Sequence, residues 1–299
     1  MQLEYGVPTD RSGVNVRFGI EKGFFSDEGL DLSIRIVFGG PEIAAAYDSG
    51  DLKIGELGTP PGLTAIARGH RFKIIASGLP RGVGLFFLVR PEVENWKDLC
   101  GHTLGALSIG SCSYWYLREM LSQNGVRPDQ DVKIRGLGED YPRQFELLAS
   151  GEIAGLLSPE PNGTIAESRK LAKCWGNVLN LADVPELQWS IQVANEAFLR
   201  ECPETVSRFL RASRRSSEYL AANAEEWIDF SSKLFGLERD LAAASIARER
   251  PTLHFSGELD WTGLGNAIRL QHHLGAIPTL LPSTFFVAQG FCPAASAAA

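Results

Sequence analysis

The chain has 299 residues, twice the usual length of one domain, and its 44% hydrophobic and 22% charged residues exclude a disordered or fibrous class. A net charge of −7 and a pI near 5.4, with no run of Lys or Arg, argue against a nucleic-acid-binding surface. No stretch approaches the ~20 apolar residues of a membrane-spanning helix, so no direct membrane span is expected.

Met1 leads into Leu3-Glu4-Tyr5-Gly6-Val7, which reads as a first strand and not as the basic start and apolar run of a secretory leader. A removed leader would place the protein in the periplasm; a native start at Met1 would keep it in the cytoplasm. After this strand come the turn Pro8-Thr9-Asp10-Arg11-Ser12-Gly13 and a helix over 14–22 closed by Gly23. Segment 31–38 alternates Leu32, Ile34 and Ile36 with Asp31, Ser33 and Arg35, the pattern of a half-buried strand. Gly39-Gly40-Pro41 opens a helix that stops near Gly50, with Pro41 suited to its first turn. Strand 52–57, helix 62–68 and strand 71–77 follow, and Gly82-Val83-Gly84 eases the chain into the apolar run 85–90.

Strand 102–107 leads into the loop Ser108-Ile109-Gly110-Ser111-Cys112-Ser113 and a helix over 114–122. Strand 132–136, helix 142–149, strand 153–157 and helix 162–172 complete a second unit of the same kind. This alternation predicts an α/β fold with largely parallel sheets. From Pro203 the pattern turns helical, with Val206, Phe209, Leu210, Tyr219 and Leu220 near one face. Further helices are expected over 224–235, 238–247 and 259–274, and the tail from Pro293 reads as frayed.

An internal repeat links the two units. Ser49-Gly50-Asp51-Leu52 leads through Ile54 and Leu57 to Thr59-Pro60-Pro61; Ser150-Gly151-Glu152-Ile153 leads through Leu156 and Leu157 to Ser158-Pro159-Glu160-Pro161. Both run helix, glycine stop, short strand and proline-bearing loop, and the loop falls at the strand's carboxyl end, where open α/β sheets bind ligands.

The run Gly19-Ile20-Glu21-Lys22-Gly23-Phe24-Phe25, followed by Glu28-Gly29-Leu30-Asp31-Leu32, resembles the signature of solute-binding proteins of ABC importers for sulfonates, taurine, nitrate and thiamin precursors, the NMT1/THI5-like family. Ala65-Ile66-Ala67-Arg68-Gly69, Trp96-Lys97-Asp98-Leu99, Ser150-Gly151-Glu152-Ile153 and Glu201-Cys202-Pro203-Glu204 agree in order, so the resemblance covers roughly 3–280. It implies a type II periplasmic-binding-protein fold of two α/β lobes joined by a two-strand hinge, 85–90 and 190–194. Lobe I would then comprise 1–86 plus 194–299 and lobe II 87–193. It further implies a monomer that traps a small-molecule ligand in an interlobe cleft and presents it to an ABC permease.

The cleft loops should be those after strands. They hold Thr9, Asp10 and Arg11; Gly39, Gly40 and Glu42; Thr59; Ser111, Ser113 and Tyr114; and Glu160 and Asn162. Several open helices whose unpaired N–H groups can hold an anionic oxygen, while glycines allow close approach. Arg11 suits a sulfonate or carboxylate, Glu160 an amine or aminopyrimidine, and Tyr114 or Trp115 an aromatic wall. Taken singly, each Gly and Ser is better explained by turn or N-cap chemistry, and Glu160 can equally be a helix-start carboxylate.

No cofactor or metal is expected. Cys100, Cys112, Cys174, Cys202 and Cys292 lack CxxC or zinc-ligand spacing. The same fold resembles an aromatic desulfinase with a first-loop Cys and a yeast pyrimidine synthase with a Cys-rich run; this chain's first loop has no Cys and no such run occurs. Cys112, ahead of a helix, is the remaining nucleophile candidate, and none of His70, His102, His254, His272 or His273 falls in a predicted cleft loop. The principal alternative to a transport role is therefore a cytoplasmic enzyme or sensor on the same fold.

Overall fold

The computed structural model describes residues 1–78, 84–183, 187–252 and 258–292. It divides into two compact units: unit 1 comprises Met1–Gly82, Leu187–Phe230 and Leu253–Ala299, and unit 2 comprises Val83–Glu186 and Ser231–Thr252. Gly82 and Val83, His254 and the tail from Pro293 lie outside the described residues.

In chain order unit 1 begins with β1 (Gln2–Val7), α1 (Val14–Glu21), α2 (Phe24–Asp27), β2 (Asp31–Ile36), α3 (Gly40–Ser49), β3 (Ile54–Gly58), α4 (Thr59–Ala67) and β4 (Phe72–Ser77). Unit 2 follows with β5 (Leu85–Val89), β6 (Thr103–Ala106), α5 (Cys112–Gln123), β7 (Lys133–Gly136), α6 (Tyr141–Ser150), β8 (Gly155–Pro159), α7 (Asn162–Ser168), β9 (Lys173–Asn177) and α8 (Val178–Leu181). The chain returns to unit 1 through β10 (Ser190–Asn195), α9 (Glu196–Glu201) and α10 (Pro203–Ala222). Then come α11 (Ala224–Phe235), within which the division falls, α12 (Arg239–Glu249) of unit 2, and α13 (Trp261–His273) and α14 (Ser283–Phe286) of unit 1.

The two sheets repeat one plan. Unit 1 orders its strands β2-β1-β3-β10-β4 and unit 2 β7-β6-β8-β5-β9. The repeat read from sequence is structural: Gly50 and Gly151 close α3 and α6 in the left-handed region, at φ 79° and 80°. The sheets are largely parallel, as expected, but mixed: in each, four strands run the same way and one runs against them. β1, β2 and β3 run parallel, but β10 is antiparallel to β3 and β4, and β5 is antiparallel to β8 and β9. These two strands, expected as the hinge, are each an internal member of their own unit's sheet, entered as the chain arrives from the other unit.

The 231–252 segment, given by sequence to lobe I, joins unit 2 for a packing reason. Leu237 packs against the cluster of Leu88, Phe145, Leu148, Ile153, Leu156 and Ile165, and α12 lies on α7. Helix 162–172 ends early at Ser168, because Lys170 takes φ 56° and Leu171 N–H closes onto Ala166 O at 2.8 Å. A non-glycine residue in that conformation leaves no sequence signal, so β9 was not foreseen. The unit 1 core is aromatic: Phe209 of α10 stacks on Tyr5 at 5.3 Å and on Phe25 at 5.5 Å. No helix among the described residues is long and apolar enough to cross a membrane.

Candidate functional site

In unit 1, parallel strands β1, β2 and β3 deliver three loops to one edge. Gly39 N–H donates to Pro8 O at 3.4 Å, and Gly40 lies so close to Pro61 that a Cβ on it would sit 2.7 Å from the proline Cβ. The loops carrying Thr9, Asp10 and Arg11, Gly39, Gly40 and Glu42, and Thr59 are therefore neighbours. The first is pinched at its base: Thr9 Oγ1 meets Ser12 Oγ at 2.8 Å and accepts Arg11 N–H at 3.2 Å. Arg17 Nε holds Ser12 O at 2.9 Å. This leaves Asp10 exposed and Arg11 half-buried at the apex.

The other two loops carry less free chemistry than their sequences suggest. Gly40 serves helix–helix contact, and the Glu42 carboxylate folds over Gly39 at the start of α3. Thr59 is fully buried and its N–H donates to Trp189 O at 3.1 Å; Pro60 and Pro61 then supply no donors at all.

Beneath the first loop lies a group that sequence reasoning missed. Glu56, on β3 and 3% exposed, accepts Gly13 N–H at 2.6 Å and the Tyr5 hydroxyl at 3.2 Å. Gln192 Nε2 donates to Tyr5 Oη at 3.3 Å and to Ser213 Oγ at 2.8 Å. Burial pushes the Glu56 carboxyl up, while the Gly13 and Tyr5 hydrogen bonds and the Arg17 charge oppose it. The one available signal was an acid inside a strand whose neighbours Ile54 and Leu57 face the core.

In unit 2, β6 and β8 are paired in parallel, so their loops also leave at one edge. Ser111 caps α5 by accepting Tyr114 N–H at 3.3 Å and bonds Ser113 Oγ at 3.0 Å, while Ser113 Oγ takes Leu107 N–H at 2.8 Å. Both hydroxyls thus hold the turn. Tyr114 is half-buried, edge-on to Trp115 at 5.0 Å, and its hydroxyl accepts from Arg118 Nη1 at 3.3 Å. Asn162 is fully buried and donates to Ser158 Oγ at 2.8 Å.

Glu160 has no exposed side-chain surface. One carboxylate oxygen accepts Thr164 N–H at 3.1 Å, and the other faces Arg248 Nη1 of α12 at 3.4 Å. Arg248 also pairs with Glu167. Burial pushes the Glu160 carboxyl up, and the Thr164 hydrogen bond and Arg248 charge oppose it. Arg248 stands 88 residues away in sequence, which gave no cue to this pairing.

Helix N-termini were expected to offer donors to an anion. Chain carboxylates already lie at those of α3 (Glu42), α6 (Asp140, from Arg143 N–H at 3.0 Å) and α7 (Glu160). The starts of α1 and α5 carry no first-turn acid, although at α1 the Glu56 carboxylate already takes the cap N–H of Gly13. As for nucleophiles, burial pushes the Cys112 thiol to about 12, Cys174 to about 11 and Cys292 to about 12, so all three stay protonated at neutral pH. No cluster of three or more metal-binding side chains occurs among the described residues.

Glu249, at the end of α12, has its carboxyl pushed up to about 8 by burial and by the nearby Glu160 charge. Its folded value lies above its unfolded one, so the stability it contributes is complete below the ordinary value of 4.5 and is lost as pH rises towards 8. Glu249→Gln is expected to flatten the upper part of the resulting fall in Tm between pH 5 and 8. Thermal unfolding across that range checks it; an unchanged slope would contradict the assignment.

Residues 15–227 match the family model described as NMT1/THI5 like. Among curated relatives, the 4-amino-5-hydroxymethyl-2-methylpyrimidine phosphate synthase of Candida albicans is 24% identical over 273 residues, covering 82% of this chain and 75% of its own. In fold, the chain is similar to the alkanesulfonate-binding protein SsuA of Xanthomonas axonopodis pv. citri bound to MOPS, with a TM-score of 0.78, 15% identity, and 96% and 97% of the two chains covered. It is also similar to the enzyme DSZB in complex with biphenyl-2-sulfinic acid, with a TM-score of 0.69, 16% identity and 97% of each chain covered. The sheet order repeated in both units and the match over 15–227 agree: the chain belongs to the NMT1/THI5-like family and has the periplasmic-binding-protein fold.

Proposed function

We propose that this protein is the solute-binding component of an ABC importer, and that its ligand is a small organic molecule bearing an anionic group. The observation that carries this reading is the pinched Thr9–Gly13 loop, which presents Arg11 beside the start of α1, whose first turn carries no acid and whose cap N–H is taken by Glu56. In unit 2 the counterpart is the Ser111–Tyr114 turn, where the first turn of α5 likewise carries no acid and Tyr114 offers an aromatic face. The half-buried Cys112, whose thiol is pushed up to about 12 by desolvation, supports binding without chemistry. Periplasmic location and a permease partner follow from the same reading.

A second reading, an enzyme of pyrimidine metabolism, is favoured by the synthase relatives at 24% identity. Isothermal titration with MOPS, taurine and 4-amino-5-hydroxymethyl-2-methylpyrimidine, followed by recovery of each compound, separates the two. Binding with the compound returned unchanged supports transport; a consumed compound supports the enzyme; no binding to any of them removes the ligand class proposed. Arg11→Ala is expected to weaken MOPS binding about tenfold, the loss of one charge-assisted hydrogen bond worth about 1.4 kcal/mol. An unchanged Kd would exclude Arg11 as the anion contact.

A further inference from the structure

We propose that Glu56 is the positioning residue of the ligand-binding loop: its carboxylate fixes Gly13, and through it the direction of Arg11, to strand β3 beside the point where the chain leaves unit 1. This rests on the binding function proposed above.

The geometry is specific to that loop. Gly13 sits at φ +72°, the left-handed cap of α1, and the hydrogen bond its N–H donates is the 2.6 Å contact to Glu56 Oε1. Ser12, one residue earlier, is held from the other side by Arg17 Nε. Arg11 therefore projects from a backbone clamped at two successive residues, one by a carboxylate and one by a guanidinium. A buried carboxylate is costly unless its oxygens are multiply engaged. Here Oε2 takes the Tyr5 hydroxyl and faces Gly78, where a Cβ would lie 3.3 Å from it.

Gly78 is the last described residue before the chain passes to unit 2, and its N–H donates to Ser190 O at 3.0 Å on the return strand. Gln188 donates to Ser77 Oγ at 2.6 Å and to Ser190 O at 2.7 Å in the same place. One carboxylate thus holds the ligand loop and lies beside Gly78, which is itself bonded to Ser190 of the return strand.

The test uses Glu56→Gln, which keeps the side chain's size, and Tyr5→Phe, which removes the other hydrogen bond to the same carboxylate. Hydrogen exchange on the ligand-free protein is expected to quicken about tenfold over 9–17 in Glu56→Gln, to stay near wild type there in Tyr5→Phe, and to leave β10 protected in both. Titrated with MOPS, Glu56→Gln is expected to bind about tenfold more weakly, and this effect should shrink below about threefold in an Arg11→Ala background. Loop exchange equal to wild type, a rise spread evenly over the unit 1 strands, or a full effect persisting without Arg11 would each overturn the proposal. If the wild type binds none of MOPS, taurine and the pyrimidine, the function falls, and the exchange result alone decides on Glu56.

Discussion

Arg248→Met is expected to destabilise unit 2 by about 3 kcal/mol near pH 8, and by clearly less at pH 5. Methionine keeps much of the apolar stem while removing the guanidinium, which lies over the Phe86 ring at 6.0 Å, so the main loss is the charge. What remains is Glu160, with no exposed side-chain surface, one hydrogen bond from Thr164 N–H and another from Ser245. Burial already pushes this carboxyl up and Arg248 opposes that push. Without Arg248 the folded value rises further above the unfolded one, so the variant's stability falls as pH rises through that range. Urea unfolding at pH 5 and pH 8 reads both the size and the sign. A second change, Glu160→Gln, should restore most of the loss at pH 8. A single variant as stable as wild type at pH 8 would show that the pair contributes nothing.

Gly55→Ala is expected to prevent accumulation of folded protein. Gly55 is paired in parallel register with Gly6, and the Tyr47 ring crosses the pair, with its hydroxyl 2.9 Å from Gly6 O and 3.2 Å from Glu56 O. A Cβ on Gly55 would stand 2.7 Å from Gly6 N and closer still to Gly6 O and Tyr47 Oη. Two of those three atoms are backbone of the neighbouring strand and cannot step aside without parting β1 from β3. The cost is about 3 kcal/mol or more, at the upper end for overpacking. Adding Tyr47→Phe should not rescue it, because the Gly6 backbone stays. Gly290→Ala, where a Cβ meets nothing within 4 Å, is the control expected to fall within about 0.5 kcal/mol of wild type. Soluble yield and circular dichroism distinguish them; a folded Gly55→Ala protein would contradict the packing described.

Much of the fold was legible because its punctuation is local. Gly50, Gly151 and Pro41 in the first turn of α3 each carry a backbone conformation that one residue encodes, and the alternation of Leu32, Ile34 and Ile36 marked β2 as a strand, although only Leu32 is buried, Ile34 is half-buried and Ile36 is exposed. What could not be read was set by distant partners. The direction of β5 and β10 depends on which unit the chain has just left, and α12 belongs with unit 2 because Leu237 and Arg248 find partners more than 60 residues earlier.

The candidate site divides in the same way. Its loops follow from strand ends, and Thr9, Asp10, Arg11 and Ser111 stand in such loops, while Tyr114 lies in the first turn of α5. Glu160 and Glu42 show the limit: a carboxylate beside a helix start reads identically whether it awaits a ligand or completes the helix. Only the positions of Arg248 and of the Gly39 backbone reveal the second use.

The division of the chain has a consequence for how the molecule is made. Unit 1 is assembled from three separate stretches and unit 2 from two, with changes after Gly82, Glu186, Phe230 and Thr252. Domains emerging from a ribosome generally fold as units, the N-terminal one first. Here neither unit is complete when its first stretch has emerged. Unit 2 waits for α12 to cover α7 and neutralise Glu160, and unit 1 waits for α13 and α14. A nascent chain arrested near residue 230 would therefore expose the α7 face and carry a buried acid without its counter-charge, a state suited to chaperone capture or proteolysis until the last 70 or so residues arrive.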